Sequence, residues 1–160
     1  NTIGNLLNRT SSMSRKWFEN KTPSLINKTN NDISLIAKDT IKNYQDYFDN
    51  YKLDKAANEI LIYANKINLY LNKKEPWVLI KDENNINEVK LIIYNVLEST
   101  RIIGLLLKPI LPELSVKILD QLGGSNSSNK TWKQQLDWGL LPDSLELPKP
   151  IPIISKLDYE

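Results

Sequence analysis

The chain has 160 residues, about the size of one domain, and its 21 Lys and Arg residues against 19 Asp and Glu give a formal net charge of +2. This near balance excludes a strongly basic nucleic-acid module, and the lack of Cys and His excludes disulfides, Cys/His zinc sites, thiol nucleophiles and imidazole bases. No apolar run approaches the roughly 18 residues that a membrane-spanning helix needs.

The first half of the chain has three stretches with the apolar spacing of about 3.6 residues that is typical of amphipathic helices. The spacing predicts helices over residues 3–18, 32–48 and 52–74, with an Asn-rich loop over 20–31. The third stretch is the most regular and carries Asn68 on its apolar face. The turn Glu75-Pro76-Trp77 ends it, because proline is tolerated in the first turn of a helix but not deep inside one.

The second half of the chain predicts two further helices. The first follows a polar loop over residues 81–87 and extends over 89–107, where Pro109 ends it. The second begins at Pro109 or Leu111 and ends at Leu122, because Gly123-Gly124 is the most common kind of helix stop.

The last forty residues are less regular. A loop over 123–130 and one helical turn over 132–136 are expected, and three prolines predict an extended surface path over 145–152. Five main helices with short connections predict an all-α antiparallel helix bundle. We expect one domain over 1–160, with the bundle over about 1–122 and a loop, short helix and extended segment over 123–160. The first residue is Asn rather than Met, so we also expect a piece of a longer chain.

The polar face of the first predicted helix is unusual. At 100° per residue, Asn5, Arg9, Ser12 and Lys16 lie together opposite the apolar stripe. An amide four residues from a guanidinium can bind a base edge, and the guanidinium can also hold a phosphate. A solvated helix face is the alternative, and spacing alone favours it.

Charge is concentrated in the same region. Residues 1–28 carry a net charge of +4 and the remaining residues carry −2. The charged residues of this N-terminal stretch are Arg9, Arg15, Lys16, Lys21 and Lys28 against Glu19. A phosphate backbone would need such a local field, although short basic stretches also occur on inert surfaces.

Trp77 follows Pro76 at the start of a broken helix, where a large ring can remain partly exposed. An exposed Trp can stack on a base of single-stranded RNA. The alternative is that Trp77 covers the core, as we expect for Trp17, Trp132 and Trp138. Asn68 is expected to be a hydrogen-bonded core residue.

Catalytic patterns are missing from the sequence. The carboxylates are scattered, with no pair at a spacing that suggests general acid and base chemistry. Gly123-Gly124 lacks the following Lys and Ser or Thr of a phosphate-binding loop. We therefore expect no catalysis within this chain.

Several segments occur in a specific order along nearly the whole chain. They are residues 1–10 (NTIGNLLNRT), 64–71 (ANKINLYL), 75–81 (EPWVLIK), 101–112 (RIIGLLLKPILP), and Gln121-Leu122-Gly123 followed by Trp132. In this order and spacing they resemble the C-terminal anticodon-binding domain of bacterial-type methionyl-tRNA synthetases.

The resemblance implies an α-helical bundle that follows a Rossmann-type catalytic domain and recognises the CAU anticodon of methionine tRNA. The family's anticodon-binding positions correspond to Asn5 and Arg9 and to Trp77. By resemblance, Trp77 stacks on the first anticodon base, a cytosine. Asn5 and Arg9 contact the edges of the anticodon bases and the RNA backbone, and Pro76 shapes the wall of this binding site. Supporting contacts are expected from Ser12, Lys16, Asn68 and Arg101.

The resemblance also implies partners and cofactors. Methionine tRNA and the catalytic domain of the same enzyme are the expected partners, with no DNA, no membrane and a cytoplasmic location of bacterial or organellar type. ATP and Mg²⁺, and zinc where it occurs, belong to the catalytic domain, whose HIGH-like and KMSKS-like motifs are missing here. The family usually has an aromatic residue and an Arg where Ile154 and Lys156 stand. Some members carry a further C-terminal tRNA-binding module, which we expect to be either missing from the protein or not included in this sequence.

Two alternatives remain open. One is the equivalent helical domain of a synthetase for another aliphatic amino acid, against which the joint presence of Asn5, Arg9 and Pro76-Trp77 argues. The other is a helical protein-interaction module that has no role in RNA binding.

Overall fold

Helices dominate the computed structural model, which describes residues 2–26, 31–124, 129–151 and 153. The five longer helices are α1 (Thr2–Trp17), α2 (Asp32–Asp49), α3 (Leu53–Lys74), α5 (Ile86–Leu107) and α6 (Pro112–Asp120). Two single-turn helices, α4 (Pro76–Leu79) and α7 (Trp132–Gln135), and a 3-10 turn over Glu83–Asn85 lie between or after them. The prediction of an all-α fold with five main helices is confirmed.

The start of α2 illustrates how local sequence sets a helix boundary. The Asn31 side chain accepts hydrogen bonds from the backbone N–H groups of Ile33 and Ser34, and the Ser34 hydroxyl accepts one from the Asn31 N–H. This reciprocal cap satisfies N–H groups that the first turn of a helix leaves without intrahelical partners. The helix therefore begins at Asp32, as the apolar spacing predicts.

The core is arranged around α5, which packs against α1, α2, α3 and α6. Most of α5 is buried, because the helix carries apolar residues of its own on all sides. Gly104 allows α6 to approach closely, because a Cβ atom there would lie 3.0 Å from Ile118 Cγ2. The Ser115 hydroxyl uses this proximity to donate to the Gly104 carbonyl oxygen at 2.6 Å.

The bounds of α6 differ from the prediction. Residues 108–111 form a turn in which the N–H groups of Ile110 and Leu111 bind the Leu107 carbonyl oxygen at 3.0 and 2.7 Å. The helix therefore begins at Pro112, a favoured first residue because it needs no N–H partner. It ends at Asp120, and Gly123 follows with a φ of 93°, as a glycine stop requires.

The extended segment near the C-terminus is tied to the bundle more firmly than expected. Glu146 forms an isolated antiparallel bridge with Lys21. The Thr22 N–H donates to the Leu145 carbonyl oxygen at 2.8 Å, and the buried Leu147 donates its own N–H to the Asn20 carbonyl oxygen at 2.8 Å. Sequence periodicity had no signal for this pairing, because one bridge lacks the alternation of a strand.

Within the described ranges, no helix combines the length and apolarity that a bilayer crossing requires. The same residues contain no group of three or more acidic, His or Cys side chains placed to hold a metal ion.

Candidate nucleic-acid interface

The polar face of α1 is open to solvent. Ile3, Leu6 and Leu7 point into the core and are at most 2% exposed. The residues on the opposite side are all exposed, and they are Asn5, Arg9, Ser12 and Lys16. The amphipathic spacing therefore places the predicted polar face correctly.

The break between α3 and α4 positions Pro76 and Trp77. Glu75 has a left-handed conformation, with φ 49° and ψ 59°, and so does not continue the right-handed helix, a region that is disfavoured for a residue before proline. Its N–H still binds the Leu71 carbonyl oxygen at 3.2 Å, so α3 is closed by a hydrogen bond. Pro76 is buried at the first position of α4, and Trp77 follows on the surface.

Arg9, Trp77 and Asn72 form the centre of the candidate site. The guanidinium carbon of Arg9 lies 5.6 Å from the centre of the Trp77 ring, within the range of a cation–π contact. The Arg9 Nη2 atom donates to Asn72 Oδ1 at 3.1 Å. Trp77 remains 37% exposed, so it neither covers the core completely nor stands free of it.

Asn72 was not identified from the sequence. It lies 63 positions from Arg9, and no spacing rule connects residues on two different helices over that distance. The available signal was its place on α3, one turn after Asn68 and five residues before Trp77. Asn68 itself is partly exposed rather than a core residue, which corrects the expectation that it lies on the buried face.

Arg101 has a structural role that the resemblance did not indicate. Its Nε and Nη2 atoms bind the carboxylate of Glu98, and the Glu98 side chain is 0% exposed against 12% for Arg101. Its Nη1 atom donates to the Gln135 carbonyl oxygen at 2.6 Å, and Nη2 donates to that of Asp137 at 2.9 Å. With its donors used inside the fold, Arg101 is left out of the candidate site.

The basic N-terminal stretch is only partly available to a ligand. Arg15 is directed to the C-terminal segment, where Nη1 donates to the Pro148 carbonyl oxygen at 3.4 Å. Lys28 lies outside the described residues. Arg9, Lys16 and Lys21 are exposed, so these three positive charges face solvent.

The other tryptophans occupy partly buried positions against the core, as expected. Trp17, Trp132 and Trp138 all pack on it, and Trp132 Nε1 donates to the Leu105 carbonyl oxygen at 2.7 Å. A partly buried indole with its N–H satisfied stabilises the fold. Trp77 is therefore distinguished by its exposure and by its contact with Arg9.

Comparison with solved structures defines the class of protein. The fold is similar to that of the apo form of Mycobacterium tuberculosis methionyl-tRNA synthetase, with a TM-score of 0.84 and 27% identity over 98% of this chain and 32% of that chain. The methionyl-adenylate-bound form of the same enzyme gives a TM-score of 0.83 and 28% identity, over 96% of this chain and 30% of that chain. The fold is thus that of a helical domain of an aminoacyl-tRNA synthetase.

The family follows from the sequence comparisons. Residues 23–156 match the family described as the anticodon binding domain of methionyl tRNA ligase, and this chain belongs to that family. Methionine–tRNA ligase 1 of Bacillus cereus is 32% identical over all of this chain and 25% of its own length, and methionine–tRNA ligase of Halalkalibacterium halodurans is 32% identical over all of this chain and 24% of its own. The chain therefore spans about a quarter of the length of the curated relatives it matches.

The two kinds of match cover the candidate site differently. The family match includes Asn68, Asn72, Pro76 and Trp77, but it begins after the polar face of α1. The alignments with the two ligases cover the whole chain and therefore include that face. The family match also argues against the equivalent domain of a synthetase for another amino acid.

Proposed function

We propose that this chain binds the anticodon loop of methionine tRNA and recognises CAU, as one domain of an enzyme that attaches methionine to this tRNA using ATP. The catalytic domain of that enzyme, with its ATP and Mg²⁺ and with zinc where it occurs, is the second proposed partner. Cytoplasm is the proposed location. The observation that supports the proposal most directly is the contact between Arg9 and the partly exposed ring of Trp77.

The two side chains supply complementary interactions. An indole ring offers a flat surface on which a base stacks, a contact of about 1–3 kcal/mol per base. A guanidinium beside it can bind a base edge in two places or hold a phosphate. Asn72 restricts the guanidinium before RNA arrives, which lowers the entropy that binding must remove.

Asn5 and Lys16 extend the proposed surface along α1 on either side of Arg9, with Ser12 between Arg9 and Lys16. Asn5 supplies both a donor and an acceptor to a base edge, whereas Lys16 supplies a point charge for the phosphate backbone. Pro76 is buried and fixes the start of α4, so its role is to hold Trp77 in place. The proposed mechanism is selective binding, with no bond made or broken in this chain.

The experiment is a titration of this chain with a fluorescent RNA hairpin whose loop carries CAU, with hairpins of altered anticodon as competitors. Trp77→Ala is expected to weaken binding by roughly 5- to 150-fold, the equivalent of one lost stack, while Trp77→Phe retains most of it. Val78→Ala is the matched control, because Val78 is 48% exposed on the same single-turn helix. Equal affinity of the wild-type chain for CAU and altered hairpins would refute recognition of the anticodon.

Arg9→Ala is the second arm. It is expected to reduce the preference for CAU over an altered anticodon by about 10-fold, within the 1–3 kcal/mol of a good bidentate contact. Lys42→Ala on α2 removes one exposed positive charge outside the proposed surface and so controls for a purely electrostatic effect. If the two variants lose affinity equally for all hairpins, Arg9 contributes charge and not selectivity.

A further inference from the structure

A groove of about 300 Å³ lies between α2 on one side and α7 with the turn that follows it on the other. The buried and partly buried residues of its lining are mainly apolar, and they form the floor. Ala37 and Ile41 come from α2, and Leu136 and Trp138 come from the end of α7 and the turn after it. The floor therefore offers apolar surface to a ligand.

The two walls of the groove are each attached to α5. The Tyr44 hydroxyl of α2 donates to the Leu106 carbonyl oxygen at 2.7 Å. On the opposite wall, Trp132 Nε1 donates to the Leu105 carbonyl oxygen at 2.7 Å. A ligand that enters the groove meets walls that are already ordered, which lowers the entropy cost of binding.

The rim of the groove is positively charged. Its exposed lining residues are Lys38, Lys42 and Lys133 against a single carboxylate, that of Asp137. None of the three lysines forms an ion pair with a residue that the structure describes. Lys38 and Lys42 are four positions apart on α2, so their like charges are neighbours that repel each other. An anionic ligand complements this rim.

The floor indicates which kind of anion fits. Three of its four residues, Ala37, Ile41 and Leu136, are aliphatic. RNA bases bind to aromatic platforms, whereas an aliphatic floor accepts the apolar side chain of a peptide. Carboxylates beside that side chain would then lie at the lysines of the rim.

We propose that this groove docks an acidic segment of a partner protein, with one large apolar side chain on the floor and carboxylates at Lys38, Lys42 and Lys133. The described residues that line the groove do not include Arg9 or Trp77, so this is a second binding site. It does not depend on the proposed binding of RNA.

The probe for the test is a fluorescein-labelled peptide of alternating Asp and Glu with one central Phe, titrated with this chain and followed by fluorescence anisotropy. Lys38→Glu with Lys42→Glu is expected to weaken binding by at least about 5-fold, because two attractions become repulsions. The same variant is expected to gain affinity for a peptide in which Lys replaces every Asp and Glu. A loss of helicity alone would not produce this exchange of charge preference.

The matched control is Lys66→Glu with Lys117→Glu, which changes the net charge equally at two exposed lysines outside the groove. This control is expected to change the affinity by less than about 2-fold, since distant exposed charges are screened. An equal loss in both double variants would show that the peptide is attracted by net charge alone, and the proposal would be wrong.

The floor is tested with Ile41→Ala and with a peptide that has Ser in place of Phe. Ile41→Ala is expected to weaken binding of the Phe peptide by about 3-fold and to leave binding of the Ser peptide unchanged. Equal affinity of the wild-type chain for the two peptides, or no binding of either, overturns the proposal. Tighter binding of an oligouridylate than of the Phe peptide, with the same dependence on Lys38 and Lys42, would make the groove an RNA contact instead.

Discussion

The buried ion pair between Glu98 and Arg101 allows a strong prediction about stability. Glu98 accepts hydrogen bonds from Arg101 and from the backbone N–H groups of Gly139 and Leu140, the latter at 2.8 Å. Arg101 in turn binds the carbonyl oxygens of Gln135, the last residue of α7, and of Asp137, just after it. Glu98→Ala therefore removes the acceptor that binds Gly139 and Leu140 to α5, and also the counter-ion of the Arg101 side chain that binds residues 135 and 137.

The magnitude follows from what the substitution leaves behind. The Arg101 side chain is only 12% exposed, so most of its charge would stay buried without a counter-ion. Two backbone N–H groups would also lose their acceptor. Removing one partner of a buried pair costs about 3–5 kcal/mol, and we expect Glu98→Ala to lower the free energy of unfolding by that amount. Removing both partners leaves no unpaired charge, so Glu98→Leu with Arg101→Met is expected to cost at least about 1 kcal/mol less than the sum of the single changes.

The assay is urea unfolding followed by far-ultraviolet circular dichroism, with the free energy extrapolated to water. Glu88→Ala is the control, since Glu88 is exposed in the first turn of the same helix, and it is expected to cost less than about 1 kcal/mol. A loss below about 1 kcal/mol for Glu98→Ala, or strictly additive single changes, would show that the pair does not hold the C-terminal segment.

Two further predictions concern pH and a glycine. Burial raises the pKa of the Tyr44 hydroxyl to about 12, against about 10 in an unfolded chain. Above pH 10 the unfolded state therefore binds fewer protons than the folded state, and the free energy of unfolding is expected to fall between pH 10 and 12, less steeply in Tyr44→Phe. Gly123 and Gly124 both have positive φ, but the space around them differs. A Cβ atom added at Gly123 would lie 2.6 Å from Leu145 Cδ2, whereas one added at Gly124 would have no neighbour within 4 Å. Gly123→Ala is expected to lower the melting temperature more than Gly124→Ala, and equal losses would mean that Leu145 moves away without cost.

Apolar spacing and helix-stop residues were sufficient to predict most of the fold. The spacing within α1, α2, α3 and α5 is regular, so periodicity located each of them to within a few residues. The start of α6 was harder, because Pro109 and Pro112 are both compatible with a helix start and only the turn at Leu107 decides between them. Pairing of residues 20–22 with 144–147 depends on backbone hydrogen bonds across more than a hundred positions, which no local pattern encodes.

The site was predictable only in part, for a related reason. Residues on one helix face can be grouped by spacing, so Asn5 and Arg9 could be identified together. Contacts between helices depend on packing, so neither the hydrogen bond from Arg9 to Asn72 nor the groove between α2 and α7 could be found. Arg101 was expected as a supporting contact, whereas in the structure its side chain is 12% exposed and its guanidinium binds Glu98 and two backbone carbonyl oxygens.

The break at Glu75 and Pro76 is what brings Trp77 to Arg9. If α3 continued without interruption, residue 77 would lie five positions beyond Asn72, and about 140° away from it around the helix axis. The two side chains could not then contact the same guanidinium. The left-handed backbone at Glu75 redirects the chain, so the Trp77 ring returns to the side of α3 where Asn72 holds Arg9. A proline that ends a helix therefore also assembles the surface that we propose for RNA.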